Sequence, residues 1–494
     1  MTAAAEPTAA KTSALPWRAA MIALAAMAAI GLCGQHLYLA RALPLWFDEA
    51  WTAEVAATPN WASFHAEVMN DLQAPLYYLI MRLWAAVAGT SDLALRLPGI
   101  AFLACAAGLP MIRRVKGLDA DARLTWGLMT LGWWGVGVFL LGRGYSLLLA
   151  LSMLQALAFA DLLAAPGRAR AWRWTVVAAL AVLTQYLALI AVAAQGLVFL
   201  AAHRRAAFRT WPALAAFVPV FAWMAYHGPR VADFSGMQNW HPPVTAFGAV
   251  GLTAFAANPT TPMVLLVVTL TAVAVVARPG RTSDADAVPH LWLTALAALL
   301  GLGLFLLAGA IRPVLTPRYL MPVIPGLLLG LVMIARRSDR PRAALSALAA
   351  LYLGVALWPG QVQATLRQGA PYGYEEASNS LMRRGVSNLV FVWDHQAARV
   401  ERIASMRRLG GVFFERAGHA VGVAPLAPRE SDDVSVQAIA AASGERPGII
   451  WIYNRQSPTA ARRFPPRIDQ LDSRWRCEHW GDGMVGSVAC WREG

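Results

Sequence analysis

Charge is scarce in this chain. Only 14% of its 494 residues are Asp, Glu, Lys or Arg, and 58% are hydrophobic. A soluble domain carries about 25% charged and roughly 45–50% apolar residues. That balance excludes a secreted soluble enzyme, a disordered protein and a fibrous one. Cysteine is scarce as well: four in so long a chain exclude a disulfide scaffold. No GxxxxGK[ST] loop is present to cradle phosphates, so a nucleotide donor is not expected. HExxH is missing, as is any Cys/His cluster with zinc-ligand spacing. Internal repeats are missing too, and the one biased tract is an Ala-rich stretch over 1–15.

What the chain has instead is a series of charge-free apolar windows. A bilayer core needs about 20 apolar residues per helix, with roughly 17–25 workable. Such windows run over 19–40, 97–112, 124–142, 144–160, 210–229, 262–277, 290–311, 319–335 and 343–366. Another, 174–203, is too long for one upright span and is flanked by basic clusters at both ends. Two short spans turning near Gln185 and Tyr186 fit it best, which brings the expected count to eleven. The first window exceeds the roughly 7–15 residues of a signal-peptide core and reads as an uncleaved anchor.

Lys and Arg concentrate on the cytoplasmic side of a membrane protein. With the N-terminus inside, the inner segments up to residue 358 hold 18 Lys and Arg against 7 acids, and the outer loops hold 7 against 7. The net charge of +14 is thus mainly an orientation signal, and no nucleic-acid partner is expected. The alternation requires that 75–89, with its internal Arg82, stay interfacial or re-entrant. The expected organisation is a disordered cytoplasmic tail (1–18), a membrane unit (19–358) with an external loop at 41–96, and a periplasmic α/β domain (359–494). In that last part, 374–385 reads as a helix, and 388–393 and 448–453 as strands. Cys477 and Cys490 flank a Gly-rich turn; a disulfide suits an extracytoplasmic location, and two reduced, packed cysteines are the alternative.

Ionisable residues at a membrane edge are candidates for function because burying them is costly. Asp48 and Glu49 open the first external loop, enclosed by Trp46, Phe47 and Trp51. Partial burial raises a carboxyl pKa and makes a competent proton acceptor. Asp71 follows, close to the helix start at Pro75, and Tyr77 and Tyr78 carry a polar handle on an interfacial segment. Arg143 with Tyr145, and Arg312 and Arg318 with Tyr319, sit at outer ends of spans. Arginines converging on one cavity would grip a phosphate through charge-assisted bonds; taken singly, each also reads as a snorkelling anchor. The picture is an outward-facing membrane cavity with carboxylates in one part and arginines in another, suited to a lipid-linked phosphosugar.

FDEAW after the first span, then APLYYLIMRLW, LALRLPG, GRGYSLLL and PRYLMPVIP, together resemble the GT-C membrane glycosyltransferases. The similarity is to their protein-mannosyltransferase-like branch (glycosyltransferase family 39), which includes aminoarabinose transferases, and it covers roughly 19–340. It implies a multi-spanning α-helical enzyme that takes a sugar from a polyprenyl-phosphate donor on the outer side and inverts the anomeric carbon in one displacement. It assigns the base or acceptor-positioning role to Asp48, with Glu49 beside it. The PPLYY-like segment maps to Pro75, Leu76, Tyr77 and Tyr78, the arginine motif to Arg143 and Tyr145, and the RYL motif to Arg318 and Tyr319. Two departures stand out: Gln73 and Ala74 replace a frequent histidine before that segment, and Leu141 stands where a glutamate often precedes the motif arginine. The second acid is then Asp71, or Asp48 works alone.

The expected reaction is sugar transfer to an extracytoplasmic glycan, lipid or protein in a bacterial inner membrane. Arg143, Arg318 and Arg312 would hold the donor phosphate, and membrane lipids would surround the spans. A divalent metal on Asp48 is compatible with the sequence and not required by it. A lipid or glycan transporter or flippase is the rival from another class, and an inactive assembly protein a third reading. Transporters place polar groups at mid-membrane and often show paired repeats.

Overall fold

The computed structural model describes residues 14–43, 45, 47–134, 141–237, 243–257, 288–312, 315–369, 373–395, 403–426, 446–454, 473–481 and 485–493. Residues 1–13, Trp46 and the 262–277 window lie outside them, and 14–18, expected in the disordered tail, already belong to the first helix. Helices dominate up to residue 369: α1 (Ala14–Ala42), α2 (Phe47–Ala56), α3 (Trp61–Met69), α4 (Pro75–Ala88), α5 (Asp92–Ile112), α6 (Ala120–Trp134), α7 (Tyr145–Ala164), α8 (Arg168–Thr184), α9 (Ala188–His203), α10 (Val218–Met237), α11 (Ala246–Ala257), α12 (Pro289–Ile311), α13 (Ile324–Arg336), α14 (Pro341–Ala356) and α15 (Pro359–Gly369). Two 3₁₀ segments, Arg204–Phe217 and Pro317–Val323, lead into α10 and α13.

Among the described residues, seven segments are long and apolar enough to cross a membrane, one of them the 45-residue stretch Ala188–Ala232. Large apolar side chains such as Ile22, Met27, Ile30, Leu197, Leu299 and Leu307 are exposed on these helices, as lipid-facing surfaces require. The chain is an integral membrane protein. The 174–203 window does break, between Thr184 and Ala188. Helix α4 has 14 residues, about 21 Å of rise, which is too short to span upright. Helix α5 starts earlier than the 97–112 window suggests, because the Ser91 side chain caps its first turn by accepting from Ala94 N. Arg96, expected in an outer loop, is therefore inside a helix.

Lipid supplies no hydrophobic drive between helices, so close backbone approach and buried polar bonds hold the bundle. A Cβ on Gly127 would lie 2.4 Å from the Ala107 carbonyl, and one on Gly132 would lie 2.7 Å from that of Tyr352. Helix α6 is thus wedged between α5 and α14. Gln195 accepts from Gln155 at 2.8 Å and from Trp174 at 2.6 Å, joining α7, α8 and α9. Trp126 donates to the Pro325 carbonyl at 3.0 Å and links α6 to α13.

Beyond residue 373 the chain forms α16 (Tyr374–Arg383), β1 (Asn388–His395), α17 (Ile403–Arg416), β2 (Gly422–Leu426), β3 (Pro447–Asn454), β4 (Trp475–Gly481) and β5 (Val485–Arg492). Strand order is β2-β1-β3-β5-β4, with β1 parallel to β2 and β3, and β5 antiparallel to β3 and β4. Cys477 and Cys490 are register partners and form a disulfide. Alternation along the strands sends Leu389, Phe391, Trp393, Ile450 and Ile452 to one face and Val390, Val392, Ile449 and Trp451 to the other. The first face packs on α16 and α17. It shares one core with Leu45, Ala50, Ala53, Tyr77, Met81 and Leu95, with α17 lying between the sheet and α2.

Candidate functional site

The short helix α2 organises the site. Asp48 and Glu49 occupy its first turn, where carboxylates meet the positive end of the helix dipole. Successive residues on a helix point about 100° apart, so the two adjacent acids diverge. Asp48 faces outward. Its Oδ2 lies 3.4 Å from Nη1 of Arg318, with side chains 25% and 34% exposed. Arg318 arrives from the 3₁₀ segment Pro317–Val323, 270 residues along the chain. Its guanidinium stands over the rings of Tyr145 and Tyr319 at 5.5 and 5.9 Å. Its Nε is buried and has no hydrogen-bond partner among the described residues.

Arg143 leaves the turn 141–144 and is 4% exposed. Its Nη1 donates to the Asp48 carbonyl at 3.0 Å, to Tyr78 Oη at 3.0 Å and to Thr52 Oγ1 at 3.4 Å. Tyr78 donates onward to Asp71 Oδ2, which also accepts from Trp51 Nε1 at 3.0 Å. Burial pushes the Tyr78 phenol well above its usual range, against Arg143 and together with Asp71. It remains a neutral donor between a guanidinium and a carboxylate. Asp71 thus joins the Asp48 group through Arg143 and Tyr78.

Glu49 does not join it, contrary to the sequence expectation. It is fully buried, with Oε1 accepting from Arg96 Nε at 2.9 Å and from Gly142 N at 3.0 Å, and Oε2 accepting from Arg96 Nη2 at 2.5 Å. Arg96, equally buried, also donates to the carbonyls of Ala40 and Leu43. A carboxylate enclosed by such partners cannot meet a substrate, and its work is to fix α1, α2, α5 and the 141–144 turn together. Gly142 is required there, because a Cβ would come 2.7 Å from Glu49 Oε1. Tyr77, expected in the cavity wall, is likewise interior: it is 2% exposed, donates to the Leu141 carbonyl and packs on Gly144. Arg312 is exposed where α12 ends and makes no contact with Asp48, Arg143 or Arg318 among the described residues. Tyr145 and Trp51 are buried supports of the site, and Tyr319 is half-buried beside Arg318.

Among the described residues, no group of three or more His, Cys, Asp or Glu side chains could hold a metal ion. The groups facing Asp48 are guanidiniums, so the donor set does not fit a divalent cation and no step is routed through one. Sequence reasoning missed three features. Arg96 signalled itself as a lone arginine in the apolar LALRLPG run. Thr52 sits one helical turn after Asp48, on the same face. The third is a cluster behind Asp71: Tyr186 accepts from Trp223 at 2.7 Å and bonds His227 at 2.6 Å, and His227 meets the backbone of Met69 and Asp71. No local motif marks that cluster.

Two solved structures share this architecture: ArnT from Cupriavidus metallidurans bound to undecaprenyl phosphate, with a TM-score of 0.51, and the same protein in its apo state, at 0.53. Each is 14% identical, with 97% of this chain and 98% of the other covered. Neither a protein-family model nor a curated protein matches the sequence. At that identity the likeness establishes the fold, and the chain has the GT-C fold of ArnT.

Proposed function

We propose that this membrane protein, built on the fold of a transferase that binds undecaprenyl phosphate, moves a sugar from a polyprenyl-phosphate donor to an extracytoplasmic acceptor. The observation that carries the reading is the Asp48–Arg318 pair, a partly exposed acid and cation brought from opposite ends of the bundle's sequence to one point. The exposed part of the Arg318 guanidinium, held to Asp48 only at 3.4 Å, has donor capacity left for a phosphate oxygen. When phosphate arrives, Arg318 exchanges one anionic partner for another and Asp48 is released to act.

Asp48 then takes the proton of an acceptor hydroxyl as that oxygen attacks the anomeric carbon. The new carbon–oxygen bond forms as the bond to the phosphate oxygen breaks, and the electron pair leaves on the lipid phosphate beside Arg318. One displacement of this kind inverts the anomeric centre. Arg143 is too enclosed to lead the phosphate contact; it holds the Asp48 backbone and aligns Tyr78 and Asp71. Supporting an enzyme over a transporter, the paired charges lie at one end of the bundle. The interior toward the other end is filled by buried side chains such as Leu148, Met153, Phe159 and Trp126.

The test is release of polyprenyl phosphate from a labelled donor by purified protein, with a cell-envelope extract as acceptor source. Asp48→Asn is expected to lower turnover by about 10²–10⁴-fold while donor binding persists. Arg318→Ala is expected to weaken donor binding first. Full turnover by Asp48→Asn at saturating donor would remove the base from this residue.

A further inference from the structure

A cavity lies at the end of the bundle away from Asp48 and Arg318. Its volume is about 370 Å³, and it is lined by Arg113, Leu154, Ala158, Asp161, Arg170, Trp172, Arg173, Val176 and Val177. Helix α7 connects the two places: Tyr145 at its start stands under Arg318, and Asp161 lies sixteen residues on, about 24 Å away. This end also carries the basic clusters that the sequence places on the cytoplasmic side.

The lining is ordered by depth. On α7, Asp161, Ala158 and Leu154 follow at helical spacing, polar at the rim and apolar below. On α8, Arg170, Arg173 and then Val176 and Val177 repeat that order on the facing wall. Arg113 at the end of α5 closes the third side and pairs with Asp161. Trp172 is 40% exposed at the rim, the level at which tryptophan marks a membrane interface. Three guanidiniums face one carboxylate, which Arg113 already neutralises. Arg170 and Arg173 therefore present net positive charge above an apolar slot that opens to lipid.

We propose that this groove binds an anionic phospholipid, with the phosphate on Arg170 and Arg173 and an acyl chain along Leu154, Ala158, Val176 and Val177. A phosphate diester on an apolar chain matches the vertical order of the lining, and basic pockets between helices suit anionic headgroups. The occupant would brace α5, α7 and α8 at the end opposite Arg143 and Arg318. The assignment is independent of the transfer reaction.

Native mass spectrometry of the full chain in detergent, titrated with phosphatidylglycerol, phosphatidylcholine or undecaprenyl phosphate, tests it. Phosphatidylglycerol is expected to bind about ten-fold tighter than phosphatidylcholine. Arg170→Gln with Arg173→Gln should abolish that preference. Arg205→Gln with Arg209→Gln, an equal charge change on exposed residues outside the groove, should leave it intact. Thermal midpoints report folding, and Arg173→Gln alone is read the same way if the double variant is unstable. The assignment falls if the two phospholipids bind alike, if both double variants act equally, or if undecaprenyl phosphate displaces phosphatidylglycerol without being displaced by it.

Discussion

Adjacent in sequence, Asp48 and Glu49 have opposite fates because a helix turns about 100° between them. Asp48 keeps one partner at 3.4 Å and stays accessible, while Glu49 is sealed against Arg96 and Gly142. Glu49→Gln leaves the Arg96 charge buried without its counter-ion, and breaking such a pair costs about 3–5 kcal/mol. The expected outcome is a lower thermal midpoint in detergent with donor affinity lost only in proportion to unfolded protein. A folded, fully stable Glu49→Gln without activity would instead return Glu49 to the chemistry. Glu54 behaves differently again: burial raises its carboxyl pKa, and Arg408 opposes the shift. A raised folded-state pKa favours folding below the unfolded value, and that contribution fades as pH rises through the folded one. Glu54→Gln is accordingly expected to raise the midpoint at pH 8 and to leave it nearly unchanged at pH 4, read by thermal scans at both.

At the scale of elements, α2 is held from two sides. The bundle grips it through Glu49 and Arg143, and the C-terminal sheet presses α17 onto its outer face. Arg416 fastens α17 beside that contact to the end of α1 and the start of α5, donating to the carbonyls of Ala42 and Leu43 at 2.9 and 3.1 Å and pairing with Asp92 at 2.6 Å. Arg408 adds a pair to Asp92 at 3.8 Å. Arg416→Ala should loosen α2 and α17 together, seen as faster amide exchange in Phe47–Ala56, with exchange in α7 unchanged. The prediction fails if only α17 responds. Much at this scale is legible in the sequence: the break between α8 and α9, the shortness of α4, and the helix at 374 with strands at 388 and 448 all follow from local pattern. The start of α5 was not, because hydropathy windows stop at a charge whereas a helix needs only a cap and, for Arg96, a buried partner.

For the whole molecule, the distribution of Lys and Arg predicts that the end bearing Asp48 and the C-terminal sheet face outward. A tag placed after residue 494 is expected to be cut by protease added to intact spheroplasts. A cysteine introduced at Arg205 should react with an impermeant maleimide only after lysis. Labelling of that cysteine in intact cells would invert the topology and remove the outer-side donor from the proposal.

The amino-acid sequence by itself determined the membrane class, the apolar course of most long helices and the α/β character of the tail. These depend on hydrophobic run length, capping residues and alternation, all local quantities. It also pointed to Asp48, Asp71, Arg143 and Arg318. Only the tertiary structure decided which neighbours each of them meets. Arg318 reaches Asp48 across 270 residues, Arg96 takes Glu49 out of reach, Tyr77 turns into the core, and Arg312 stays at the surface. The reason is physical: a charged side chain acts through what lies within a few ångströms of it, and in a bundle those neighbours are supplied by helices distant in sequence.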